Sequence, residues 1–157
     1  MTEPAGYWTR RLEQAGITLP EVVPQVADYV PAARAGAMVY TSGQLPMVDG
    51  TLAATGKVGD AVSPERAAEL ARQCALNALA AVHALVGIDS VVRVVKLTGF
   101  VASAAGFGGQ PGVVDGASRV LGEIFGDSGV HARSAVGVAE LPLDAPVELE
   151  LVVEVEG

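Results

Sequence analysis

At 157 residues the chain has the length of one compact domain and is short for two, which excludes a large multidomain enzyme. Half of it is hydrophobic but only 4% is aromatic, so core material is ample, disorder throughout is excluded, and a nucleotide-stacking platform lacks its rings. Ten basic against 18 acidic residues leave a formal charge of -8, which argues against a broad phosphate-binding surface and hence against nonspecific nucleic-acid binding.

Trp8, Leu12 and Ala15 share one face of a short amphipathic segment that Gly16 and Pro20 end, predicting an N-terminal helix packed on the body. The opening stretch MTEPAGYWTRRLEQAG lacks the apolar run of a secretory signal, and no later run reaches membrane-spanning length, so the expectation is a soluble, cytoplasmic protein with no membrane partner. Met38 to Thr41 reads as a strand, and Val48-Asp49-Gly50-Thr51 is a hairpin-turn signal leading into a returning strand. Ser63-Pro64 then supplies a cap and first helical position for an alanine-rich helix that runs to Gly87.

Leu70, Cys74, Ala78, Ala81 and Leu85 recur at helical spacing and predict the buried stripe of that helix. Cys74, the sole cysteine, excludes an intrachain disulfide and a cysteine-rich zinc site, and its apolar neighbours mark it as core rather than nucleophile. His83, near the end of the helix, reads as a surface or capping residue. Val91 to Val101 is a largely buried strand, with Val91, Arg93, Val95, Leu97 and Val101 expected on one face. The glycine-rich interval at Gly106 to Gly112 matches neither dinucleotide spacing nor the lysine-bearing phosphate loop, and no cofactor follows from it.

Val114, Ala117, Leu121 and Phe125 restore helical spacing for a second major helix. Two final strands, His131 to Leu141 and Val147 to Val155, are close enough to pair as an antiparallel hairpin; the second alternates an apolar face with a largely acidic one. The order predicts a small α+β domain, a mainly antiparallel sheet with two helices packed on one face. If Leu141 faces Val147 in that hairpin, Arg133 and Glu148 stand over roughly 20 Å apart, so a shared site would need curvature, a bulge or another subunit.

Chemistry-bearing residues are few. Arg133 has the fork that binds a carboxylate, although by sequence physics alone an ordinary surface ion pair accounts for it better. Glu148 is suited to orienting water, though it also belongs to an acidic strand face. Tyr29 and Ser42 offer hydroxyls, and the histidines do not converge into a metal site.

The segments YTSGQLP and ARSAVGVAELPLDAPVELE resemble the RidA/YjgF family, and the likeness runs from about Tyr29 to Glu156. The division it implies is an N-terminal extension over 1–28 followed by one RidA-like domain over 29–157. The resemblance implies the chorismate-mutase-like fold, a homotrimer with clefts between subunits, and hydrolytic deamination of reactive 2-imino or enamine acids to 2-oxo acids and ammonia. It needs no metal or cofactor. Carried over residue by residue, it places Tyr29, Ser42 and Gly43 in the pocket, gives Arg133 the substrate carboxylate, gives Glu148 the catalytic water, and sets Ser118 where the family has asparagine. Ala135 departs from the family cysteine. That departure keeps open a second reading, a non-catalytic trimer that senses a small carboxylated metabolite.

Overall fold

The computed structural model describes residues 5–25 and 27–157. Helix α1 (Tyr7–Gln14) is followed by strands β1 (Ala32–Ala35), β2 (Met38–Thr41), β3 (Met47–Val48) and β4 (Thr51–Leu52). Helix α2 (Pro64–Val86), strand β5 (Val91–Ala102), helix α3 (Gln110–Phe125), and strands β6 (Ala132–Val138) and β7 (Val147–Val155) complete the order. The long strands form one sheet in the order β1-β2-β7-β5-β6, while β3 and β4 make a separate hairpin across the Asp49-Gly50 turn. The α+β architecture expected from the sequence is the one observed.

Its connectivity corrects the sequence reading in one important respect. Strands β6 and β7 do not pair with each other; β5 lies between them, antiparallel to β7 and parallel to β6. A short connection suggested a hairpin, but β6 follows β5 through α3, a β-helix-β unit whose parallel pairing places it at the sheet edge. The strand Ala32–Ala35 was not anticipated, because its Ala-Ala-Arg-Ala pattern carries almost no strand propensity.

In β5 the expected strict alternation fails at two register shifts, between Val91 and Arg93 and between Val94 and Lys96. Each shift changes the parity, so Val91, Val94, Leu97 and Val101 are buried, whereas Arg93 is exposed. In β7 no such break occurs, and Val147, Leu149, Leu151, Val153 and Val155 all turn inward.

Both helices cover this apolar face. Ser63 accepts a hydrogen bond from the Arg66 amide at 3.1 Å to open α2, and Gly87, at φ 81°, closes it. Leu70, Cys74, Ala78 and Ala81 are buried as the spacing required, but Leu85, in the exposed last turn with His83 and Ala84, is 45% exposed. His83 works as a cap, its Nδ1 accepting from the Ile88 amide at 3.0 Å. Small residues let the layers approach: a Cβ on Gly116 of α3 would overlap the Ala68 carbonyl oxygen of α2, and one on Gly99 would lie 2.6 Å from Val114.

Helix α1 packs onto this layer from the side. Trp8 is 2% exposed, donates from its indole to the Val91 carbonyl at 2.8 Å, and meets Phe125 edge-on at 5.0 Å. Thr9 donates through its amide and hydroxyl to the two Asp89 carboxylate oxygens at 2.9 and 2.5 Å. Slight burial opposes ionisation of Asp89, but these hydrogen bonds outweigh it and hold the carboxyl below its ordinary value of 3.8. A depressed folded value stabilises above the ordinary range and is lost as pH falls through it. Acid titration is therefore expected to release α1 at its Asp89 clamp, read as a red shift of Trp8, the sole tryptophan. Asp89→Asn should remove that step; an unchanged titration in the variant would refute the clamp.

Candidate functional site

Two clusters of polar residues occupy opposite faces of the sheet. The first lies at the end of β2. Thr41 is buried, and its hydroxyl accepts the Leu151 amide at 3.0 Å, fastening the strand end to β7. Three residues on, Gln44 exchanges backbone hydrogen bonds with Leu149, at 2.7 and 3.1 Å. These contacts hold Gly43 directly against Glu148: a Cβ at Gly43 would collide with Glu148 Oε1. Asn77 of α2, 1% exposed, donates to the carbonyls of Leu45 and Met47 at 3.0 and 3.1 Å and pins the far side of the loop.

Tyr29, Gly43, Gln44 and Glu148 line a cleft of about 310 Å³, at the small end of the range for small-molecule sites. Among the described residues, no hydrogen bond or ion pair engages the Glu148 carboxylate, and none engages the Gly43 amide. Burial raises the Glu148 carboxyl above its ordinary 4.5, and the neighbouring Glu150 adds to the rise. A half-buried, unpartnered carboxylate in a cleft, with its proton affinity increased, is equipped to take a proton from water and return it. Ser42 stands beside the cleft with its hydroxyl committed to the Val30 carbonyl at 2.5 Å, so it fastens the Tyr29 segment to β2. Glu148 also reaches inward electrostatically: burial, reinforced by this carboxylate, pushes the Cys74 thiol well above its ordinary value.

The second cluster joins β6 to α3. Arg133 donates to Asp115 Oδ1 at 2.7 Å, to Ser118 Oγ at 3.2 Å and to the Pro111 carbonyl at 3.4 Å. Ser118 also meets His131 Nε2 at 2.9 Å, and His131 Nδ1 lies 2.6 Å from the Gly129 carbonyl. Since a carbonyl only accepts, the neutral ring carries its proton on Nδ1 and leaves Nε2 to accept from the Ser118 hydroxyl. Ala135 stands two residues along β6 from Arg133, on the same face and packed against the core.

Sequence reasoning identified Arg133 and Ser118 separately; the structure joins them, and adds Asp115, one helical turn before Ser118. The spacing Asp115 to Ser118 was the available signal. Gln44, 2% exposed, was also missed, though it sits inside the segment that carried the family likeness.

Arg133 is opposite Leu97 and Glu148 opposite Phe100, three residues apart on β5, so the two side chains leave opposite faces of the sheet. Two strand spacings and three residue steps separate their backbones by about 14 Å. The hairpin geometry that implied more than this is replaced, but the two groups still do not meet within one chain. Among the described residues no cluster of three or more metal-ligating side chains occurs, and no helix is long and apolar enough to cross a membrane.

Comparison with known proteins places this geometry in context. The family profile described as Endoribonuclease L-PSP matches residues 20–155. The protein Atu1372 of Agrobacterium tumefaciens is 43% identical, with 96% of this chain and 93% of that one covered and a TM-score of 0.88. Protein TCP17 of Trypanosoma cruzi is 39% identical over 152 residues, 96% of this chain and 95% of that protein. The YjgF gene product of Escherichia coli is similar at 27% identity over 85% of this chain and 93% of its own, with a TM-score of 0.63.

Proposed function

Because the chain belongs to the RidA/YjgF (Ribonuc_L-PSP) family, we infer that it hydrolyses reactive 2-imino and enamine acids to 2-oxo acids and ammonia. The observation that carries this reading is the unpartnered Glu148 carboxylate facing Gly43 in a small cleft. Water adds to the C=N carbon while Glu148 accepts its proton and passes it to nitrogen. The tetrahedral intermediate then expels ammonia as its hydroxyl proton moves to the leaving nitrogen and the C=O bond forms. The Gly43 amide supplies a donor to the reacting centre, and Tyr29 closes the cleft.

Arg133 holds the substrate carboxylate. Its place on the opposite face from Glu148, about 14 Å away, is farther than a small 2-imino acid spans, which supports a site completed by a second copy of the chain. The outer sheet face, with Tyr40 and Val136 48% and 43% exposed, supplies apolar surface for such a homotrimer. The same face carries Glu148, Glu150 and Glu154, which disfavours a polyanionic nucleic-acid substrate despite the description of the family.

The deciding assay follows ammonia release from freshly generated 2-iminopropionate and longer 2-imino acids against spontaneous decay. Arg133→Ala is expected to reduce kcat/KM by roughly 100-fold or more, since a charge-assisted bidentate contact is lost. Equal activity in Arg133→Ala and the parent protein would remove the carboxylate clamp. A second reading, a sensor without turnover, is favoured by Asp115, which already occupies Arg133, and by Ala135, which brings no reactive group. Saturable binding of 2-oxo acids with no acceleration over spontaneous decay would select it.

A further inference from the structure

The cleft around Glu148 has a wall that the hydrolytic reading does not use. Val23 and Pro24 of the segment before β1, Leu45 of the loop after β2 and Met47 at the start of β3 make the lining largely apolar. Pro142 and Leu143, in the turn between β6 and β7, form its rim. Among the described residues, the ionisable side chains in the lining are Glu148 and Tyr29.

Leu143 is the unusual member. Its backbone lies in the left-handed region at φ 60° and ψ 22°, followed by Asp144 at φ 60°. That region disfavours a leucine and suits glycine or asparagine. Its side chain is nevertheless 71% exposed, so neither backbone preference nor core packing accounts for a large apolar group there. A leucine held in a disfavoured conformation at the mouth of an apolar cleft gains its contact when something apolar enters.

We propose that Leu143, with Val23 and Pro24 lining the same cleft, forms a side-chain subsite that selects 2-imino acids carrying an apolar substituent of several carbons over the alanine-derived compound. The inference rests on the hydrolytic reading for the identity of the reacting group. It adds to that reading a substrate class and gives the segment before β1 a direct part in the site. The substrate's C=N carbon sits beside Glu148 and Gly43, and its side chain runs outward along Val23, Pro24 and Leu143.

The test measures kcat/KM for imines generated by an amino-acid oxidase from alanine, 2-aminobutyrate, norvaline and leucine. In the parent protein the value is expected to rise roughly fourfold per buried methylene until the cleft is filled. Leu143→Asn, a residue suited to the backbone at that position, keeps the fold while removing the rim contact. It should reduce the ratio between the leucine-derived and alanine-derived imines by about tenfold. Val23→Ser, at another lining position, should lower the same ratio.

A chain-length series that is flat in the parent protein, or a ratio unchanged in both variants, overturns the subsite and leaves the hydrolytic reading standing. A change of particle size by light scattering in Leu143→Asn also overturns it, since Leu143 would then serve contact between copies. If no imine is turned over, dissociation constants for the matching 2-oxo acids test the same preference. Failure of every 2-oxo acid to bind would defeat both the hydrolytic reading and the subsite; binding that ignores chain length would defeat the subsite alone.

Discussion

Glu148→Gln is expected to lower kcat for 2-imino acid hydrolysis by roughly 10²- to 10⁴-fold, the usual contribution of a positioned acid-base group, while changing ligand affinity only a few-fold. Glutamine preserves the size of the side chain beside Gly43 but cannot take a proton from water. On the proposed hydrolytic reading the parent protein should also lose activity on acidification, because Glu148 would act there as the ionised carboxylate. Burial and Glu150 raise that carboxyl above the ordinary 4.5, so the acid limb should begin at higher pH than for an exposed glutamate. The same shift acts oppositely on folding: the folded chain binds the proton more tightly, so stability falls as pH rises from 4.5 through the raised value. A rate profile in Glu148→Gln that retains both the magnitude and the acid limb would exclude Glu148 as the proton acceptor.

Gly116→Ala should produce the largest loss of stability from adding a single methyl group. The new Cβ would overlap the Ala68 carbonyl oxygen, and neither α2 nor α3 can yield locally, since both are fixed over the sheet. Overpacking of this kind costs about 3 kcal/mol, against which the better helix propensity of alanine returns about 1 kcal/mol. The net loss of about 2 kcal/mol corresponds to a fall in Tm of roughly 4–8 °C at fixed protein concentration. Gly112→Ala and Gly122→Ala provide the control on the same helix, because nothing lies within 4 Å of either added Cβ. Both should be neutral or stabilising. A Gly116→Ala protein as stable as these controls would show that the helices are not in closest contact there.

Local signals placed most of the architecture. Ser63-Pro64 and Gly87 bound α2, and uninterrupted alternation in β7 assigned its inward face residue by residue. What failed was information held between segments. The parity of β5 depends on where β7 slips against it, which its own sequence does not display. Likewise, the short span between β6 and β7 fits a hairpin as well as a turn that passes over β5; only the parallel pairing of β6 through α3 decides the matter.

The site was legible in a similarly partial way. Family-like segments pointed to Tyr29, Gly43, Arg133 and Glu148 as residues, but their arrangement follows from which side of the sheet each leaves. A residue count along a supposed hairpin separated Arg133 from Glu148 by distance, whereas the fold separates them chiefly by face. Asp115 had only its one-turn spacing from Ser118 to mark it, because its importance comes from meeting Arg133 across the gap between α3 and β6. Ser42 shows the converse: a hydroxyl in a suggestive motif spends its hydrogen bond on the Val30 carbonyl.

The burial of Cys74 has a practical consequence for following this molecule in solution. With its thiol fully enclosed, held protonated by burial and unaccompanied by any other cysteine, the native chain offers nothing for maleimide reagents to attack. A cysteine introduced at a surface position such as Val130, 74% exposed, would be the sole labelling point. A fluorophore could then be attached without first engineering out a native residue, and energy transfer between labelled copies would report how the chains assemble.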